Sequence, residues 1–194
     1  LDQAWQDLGE VPSILESFIT FDGEISVIAA RSLDGSIIAY PPIANQHRNN
    51  ILNTSRAPAP LTTGQTQRAI AIATQIAEAL DYVGILAVEL FVKGDDFLFN
   101  EFAPRVHNSG HWTIEGAVTS QFEQHIRAIC GLPLGSTDLL GRAEMTNLMG
   151  SDVNQVLALL SEPGVHLHLY GKTEARDNRK MGHITRIFPK TIRP

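Results

Sequence analysis

The sequence predicts an α+β fold, an antiparallel sheet with helices plus a small C-terminal α+β unit. Runs with strand character outnumber runs with helical character. Turn dipeptides such as Asp22-Gly23 and Asp34-Gly35 join neighbouring strand runs at hairpin distance. Strands and helices do not alternate as βαβ units would require, which argues against a doubly wound parallel sheet.

Apolar runs at 13–20, 24–33 and 36–40 predict three successive antiparallel strands, a meander punctuated by those two turns. Residues 62–81 predict a helix, with Ala69, Ala73, Ile76 and Leu80 on one face and a threonine suited to capping near its start. Residues 83–92 and 97–102 form two strands around the turn Lys93-Gly94-Asp95-Asp96. Residues 119–130 are a second amphipathic helix, ended by Gly131 and Pro133. Its pattern Phe122, Ile126, Ile129, Cys130 predicts that the single cysteine is a buried packing thiol. Smaller elements follow: a strand at 143–149, a helix at 153–160, and strands at 165–170 and 181–188 around the break Pro163-Gly164. The expected division is a larger unit over 1–132 and a small one over 133–194.

One cysteine leaves no internal disulfide framework. There is no apolar run of membrane-spanning length, and residues 1–13 lack the features of a secretory signal, so a soluble cytoplasmic protein is expected. The leucine at position 1 suggests a chain cut from something longer. The net charge of -6 is unevenly spread: residues 1–164 hold 8 Lys/Arg against 19 Asp/Glu, residues 165–194 hold 7 against 2. An acidic body argues against nucleic-acid binding, whereas a compact basic end can hold a small phosphorylated ligand.

Residues 100–113, NEFAPRVHNSGHWT, concentrate polar chemistry in a segment leaving a strand: Asn100, Glu101, Arg105, His107, Asn108 and His111. If the preceding turn is centred on Asp95, Glu89 faces Glu101 across the hairpin. Opposed carboxylates destabilise a sheet unless something reconciles them. A divalent cation does so, and two carboxylates with the amide of Asn100 or Asn108 make an all-oxygen set suited to Mg²⁺ or Mn²⁺ shared with phosphates. The alternative is a solvated Glu89. The spacing of His107 and His111 is not that of a zinc site, so anion contact or proton transfer is the expected role.

The strand acid, the hairpin, NEFAPRVHNSGHWT, the helix SQFEQHIRAICGLPLG and the tail YGKTEARDNRKMGH together resemble the ATP-grasp family and, within it, the 5-(carboxyamino)imidazole ribonucleotide synthetases of purine biosynthesis. The likeness covers nearly all of residues 11–190. It implies the C-terminal part of an ATP-grasp fold that uses ATP and Mg²⁺ (or Mn²⁺) to carboxylate aminoimidazole ribonucleotide with bicarbonate, by way of carboxyphosphate, releasing ADP and phosphate. Under this resemblance Glu16, Ser17, Phe18 and Ile19 match the adenine hinge and Glu24 the acid near the ribose. His47, Asn100 and Glu101 complete the nucleotide site. Glu89 and Glu101 match the metal-holding acids; Arg105, His107 and Asn108 match the bicarbonate cradle; Lys172 and Arg179 match the pair on the acceptor's 5′-phosphate. A homodimer in the full-length protein is implied as well.

Two features of that family are not in this sequence: the glycine-rich phosphate loop and its lysines, since Lys93 is the only lysine before Lys172. Turnover by this polypeptide alone is therefore not expected. The rival readings are another ATP-grasp ligase, of the formate-dependent transformylase or biotin carboxylase kind, and a non-catalytic nucleotide-binding fragment.

Overall fold

The computed structural model describes residues 1–189; the end of the predicted second unit, residues 190–194, lies outside the described residues. The helices are α1 Asp2–Asp7, α2 Thr63–Ala79, α3 Thr113–Gly116, α4 Gln121–Ile129 and α5 Val156–Leu160. The strands are β1 Gly23–Arg31, β2 Ile37–Ala39, β3 Ile43–Arg48, β4 Ile51–Ala57, β5 Gly84–Lys93, β6 Asp96–Ala103, β7 Gly141–Met149, β8 Val165–Leu169 and β9 Lys180–Pro189. Among the described residues these nine strands form one sheet in the order β6-β5-β1-β3-β4-β7-β9-β8, with β2 beside β1. Every pairing is antiparallel. The sheet runs unbroken from β4 into β7, so the expected C-terminal unit shares it with the larger one.

Central strands are covered on both faces, and their alternation shows which layer each residue serves. Ile25, Val27 and Ala29 of β1 and Leu86, Val88 and Leu90 of β5 meet Ala69, Ala73 and Ala77 of α2. Ile28, Ala30, Ile85 and Ala87 point the other way, toward Tyr40 and Trp112. The alanine face lets α2 approach closely. Its start is fixed by a capping box in which Thr62 accepts from the Gln65 amide and the Gln65 side chain accepts from the Thr62 amide.

Three expectations fail. The run 13–20 is not a strand: Ile14, Leu15 and Phe18 are almost fully exposed, the last at 94%, and no strand pairs with them. A strand exists by pairing, and a local apolar run supplies no partner. Cys130 is exposed rather than buried. Helix α4 turns Gln121, Gln124 and Ala128 to the sheet and leaves Phe122, Ile126 and Ile129 outward, the reverse of its apolar pattern. The glutamines are accommodated because each makes a reciprocal amide pair with main chain, at His107 and at Gly135. Finally, the predicted helix at 153–160 begins as a 3₁₀ turn, and only Val156–Leu160 is α-helical.

The hairpin of β3 and β4 has no counterpart in the predicted elements. Its turn residues Asn49 and Asn50 both take positive φ, 52° and 59°, as a type I′ turn requires.

Candidate functional site

The β5–β6 hairpin places Glu89 opposite Glu101. The turn, however, is the two-residue Gly94-Asp95, so positions near it sum to 189: Lys93 faces Asp96 and Leu90 faces Phe99. A bulge between Glu89 and Leu90 leaves Asn100 unpaired and adds one to the sum, which brings the two acids into register. The expected pair is thus correct while the turn centre behind it is not. On its other edge β5 sets Glu89 beside Ser26 of β1, and Glu24 lies two residues on along the same face.

Three carboxylates therefore crowd one end of the sheet. The Glu89 carboxyl is held above the usual carboxylate range, first by burial and then by Glu101 and Glu24, while His47 and Lys180 pull against that rise. His47, opposite the bulge that leaves Asn53 of β4 unpaired, contacts Glu24 through Nδ1.

After β6, Pro104 turns the chain and residues 104–107 run beneath α4. The His107 main chain is clamped at both ends by one side chain: its amide donates to Gln121 Oε1 at 2.9 Å, and Gln121 Nε2 donates to its carbonyl at 2.7 Å. The ring is buried, with Nε2 3.2 Å from Glu89 Oε1. Burial, reinforced by Arg105 and Lys180, pushes the imidazole down to about 4, so at neutral pH the contact sets a neutral ring beside the Glu89 carboxyl group rather than making an ion pair. Asn108 exchanges amide hydrogen bonds with Asn147 of β7, 3.0 and 2.7 Å, and Asn147 also donates to the Leu52 carbonyl at 2.8 Å. Arg105 is exposed and donates only to the Val106 carbonyl among the described residues, leaving most of its guanidinium free.

Glu16, Ser17, Phe18 and Ile19 line one cleft of about 380 Å³ with Phe21, Phe91, Phe99 and Asn100. Half of its lining residues are phenylalanines, and Phe21 stacks on Phe91 at 4.5 Å between centroids. The cleft adjoins the acid pair through Asn100, next in chain to Glu101.

The basic tail between β8 and β9 carries Lys172, whose ammonium donates to the Lys180 carbonyl at 2.6 Å, and Arg179, which donates to the Glu174 carbonyl at 3.2 Å. Neither pairs with a carboxylate among the described residues. Sequence reasoning missed Lys180. Burial lowers its ammonium, Glu89 opposes that, and Arg105 and Lys172 add to it. These mutual effects put Lys180 within electrostatic reach of Glu89, Arg105 and Lys172. It also missed Tyr170, whose hydroxyl lies 3.1 Å from His111 Nδ1 and 2.8 Å from His183 Nδ1. The His183 ring stacks on those of His111 and His168, each 4.7 Å away. The only sequence signal for these partners was the even spacing of His166, His168 and Tyr170 along one strand.

Among the described residues no group of three or more His, Cys, Asp or Glu side chains is placed to hold a metal ion by itself. Glu89 and Glu101 are instead an open pair. A hard cation fits there only with oxygens brought by a ligand and water, the manner in which Mg²⁺ is commonly shared with phosphates. Anion-binding cations on one side and paired acids on the other suit phosphoryl or carboxylate chemistry. Among the described residues no helix is long and apolar enough to cross a membrane.

A family model for the ATP-grasp domain matches residues 1–122, and one for the phosphoribosylaminoimidazole carboxylase C-terminal domain matches residues 143–191. An N5-carboxyaminoimidazole ribonucleotide synthase of Brucella melitensis is 50% identical over 190 residues, 97% of this chain and 52% of that protein. The crystal structure of N5-carboxyaminoimidazole ribonucleotide synthetase from Thermus thermophilus superposes with a TM-score of 0.89 at 50% identity, covering 96% of this chain and 51% of that one. That of N5-carboxyaminoimidazole synthase from Aspergillus clavatus, in complex with ADP and 5-aminoimidazole ribonucleotide, gives 0.85 at 34% identity over 89% and 48%. The chain spans about half the length of the relatives it matches.

Proposed function

The chain belongs to the ATP-grasp family, and on that premise we propose that it supplies the acid pair, the bicarbonate cradle and the acceptor-phosphate contacts of an N5-carboxyaminoimidazole ribonucleotide synthetase. The reaction joins bicarbonate to the exocyclic amine of 5-aminoimidazole ribonucleotide at the expense of ATP, in the cytoplasm, within a homodimer of the full-length enzyme. The observation that carries this reading is the opposition of Glu89 and Glu101 beside His107, Asn108 and the unpaired Arg105, in a chain half identical to such a synthase over 97% of its length.

Glu89 and Glu101 would hold Mg²⁺ or Mn²⁺ together with nucleotide phosphates. When bound, the ion neutralises charge on the transferring phosphoryl group. The chain's own residues do the remaining work. The cleft lined by Phe18, Phe91 and Phe99 offers aromatic surface to an adenine ring. Glu24 and His47, in contact with each other, stand where a ribose would lie. Arg105 presents guanidinium donors to an anion in the fork geometry that suits bicarbonate or carboxyphosphate oxygens. Asn108, fixed by Asn147, orients its partner without adding charge. Lys172 and Arg179 meet the acceptor's 5′-phosphate, and Lys180 keeps the local field positive between that phosphate and Glu89.

The test joins this chain to the remaining N-terminal portion of the Brucella melitensis relative and compares the hybrid with its Glu101→Gln form. Phosphate release should fall by at least ~100-fold, the scale on which one preorganised charge contributes, with no loss of thermal stability. Release within a few-fold of the unsubstituted hybrid would defeat the ion-site assignment.

A further inference from the structure

Four small polar side chains lie buried or half-buried across three neighbouring strands and one loop: Ser55 of β4, Asn45 of β3, Ser26 of β1 and Ser109 after β6. Asn45 faces Ser55, and Ser26 faces Glu89. The two strand serines and Ser109 are fully buried. Polar groups in such positions destabilise the sheet unless each is matched. They are matched in one continuous line: Ser55 Oγ to Asn45 Oδ1 at 2.9 Å, Asn45 Nδ2 to Ser26 Oγ at 3.0 Å, Ser26 Oγ to Ser109 Oγ at 2.7 Å, and Ser109 Oγ to His107 Nδ1 at 2.8 Å. The line ends at His107 Nε2 and Glu89.

Hydroxyl and amide directions are ambiguous one at a time, but one donor here is not. The main-chain amide of Ser109 points at His107 Nδ1, 3.4 Å away, and an amide can only donate. Nδ1 is therefore an acceptor, and the proton of the neutral ring is on Nε2. The Ser109 hydroxyl, facing the same lone pair, donates to it and must accept from Ser26. Ser26, its proton spent, accepts from Asn45 Nδ2, and Asn45 Oδ1 accepts from Ser55. Each direction follows by elimination from a single amide.

We infer that Ser109, Ser26 and Asn45 are positioning residues that, together with the Ser109 main-chain amide, seat the His107 ring with Nδ1 engaged as an acceptor and the protonated Nε2 beside Glu89, setting that carboxylate's surroundings for a cation and leaving His107 no free nitrogen with which to accept a proton. This deepens the proposed function and rests on its reading of Glu89 as an ion ligand. Groups behind the ligands commonly fix the surroundings of a metal site, and loss of one costs about 10–100-fold in affinity. An ordinary buried polar network would tie the strands together without affecting ion affinity at the acid pair.

The experiment uses this chain, ¹⁵N-labelled, and records the long-range ¹H–¹⁵N spectrum of the His107 ring, then repeats it during Mn²⁺ titration. The unsubstituted chain should show the Nε2–H tautomer, with His107 signals broadened by Mn²⁺. Ser26→Ala should keep that tautomer, because the main-chain amide of Ser109 still donates to Nδ1, and should raise the half-broadening Mn²⁺ concentration about tenfold. Ser109→Ala should act in the same direction, and serves where Ser26→Ala folds poorly. A wild-type ring protonated on Nδ1, or substitutions that leave the half-broadening Mn²⁺ concentration unmoved, would overturn the inference. The expected tautomer without any Mn²⁺ broadening would refute the ion-site reading and leave the relay nothing to position; the intact tautomer identifies that failure.

Discussion

Gly110→Ala should be destabilising through one named side chain, and a second substitution should cancel it. A Cβ on Gly110 would lie 2.6 Å from Gln121 Oε1 and 2.8 Å from its Cδ. Gln121 is fully buried, so its amide cannot swing into solvent. Displacing it frees both the amide and the carbonyl of His107, each buried and each worth about 1–3 kcal/mol when left unsatisfied, for a total of about 2–6 kcal/mol. Gln121→Ala removes the same two bonds and, in addition, the atoms that clash. The double variant should then be no less stable than Gln121→Ala alone, with a coupling close to the whole effect of Gly110→Ala. Urea denaturation of the four proteins measures it. A Gly110→Ala effect below about 0.5 kcal/mol, or additive effects, would refute the claim that Gln121 clamps the His107 main chain.

Acid should loosen the β8–β9 end. Burial pushes His111 down to about 4 and His183 to about 3, so the folded state stays unprotonated while the unfolded chain takes up protons below its ordinary range. Stability is then complete above about pH 6.5 and declines as pH falls toward the folded values, by about 2 kcal/mol per histidine at pH 5. Thermal melts between pH 7.5 and 5 should show the decline, and His183→Phe should flatten it. Without metal, Glu101→Gln should raise stability by about 0.5 kcal/mol, because opposed like charges disfavour a hairpin; chemical denaturation in EDTA measures it. By itself the chain should release no phosphate from ATP, in a coupled assay sensitive to a single turnover.

The acid pair was legible because period-two patterning and one turn constrain a hairpin tightly, although Asn100, the bulged residue that sets the register, gave no signal of its own. Helix α2 was legible through its alanine face and Thr62. The β3–β4 hairpin was not, since Asn45, Gln46, His47 and Arg48 carry too little apolar alternation. Helix α4 misled because its inward face is glutamine, made tolerable by main-chain partners far along the chain. Residues 13–20 and the outward stripe of α4 misled in the same way: apolar pattern reports a capacity to be buried, not the presence of a partner. The Ser26–Ser109 relay and the His111–Tyr170–His183 cluster join residues 83, 59 and 13 positions apart, and no local rule links them.

The central claim is the acceptor. Phosphate release from Mg·ATP and bicarbonate by the hybrid enzyme, measured with and without 5-aminoimidazole ribonucleotide, tests it most directly. The account predicts release that depends on the ribonucleotide and is lost with Lys172→Ala and Arg179→Ala together. Release indifferent to the ribonucleotide, in a hybrid that folds and binds ADP, would contradict it and assign the site to another ATP-grasp ligase.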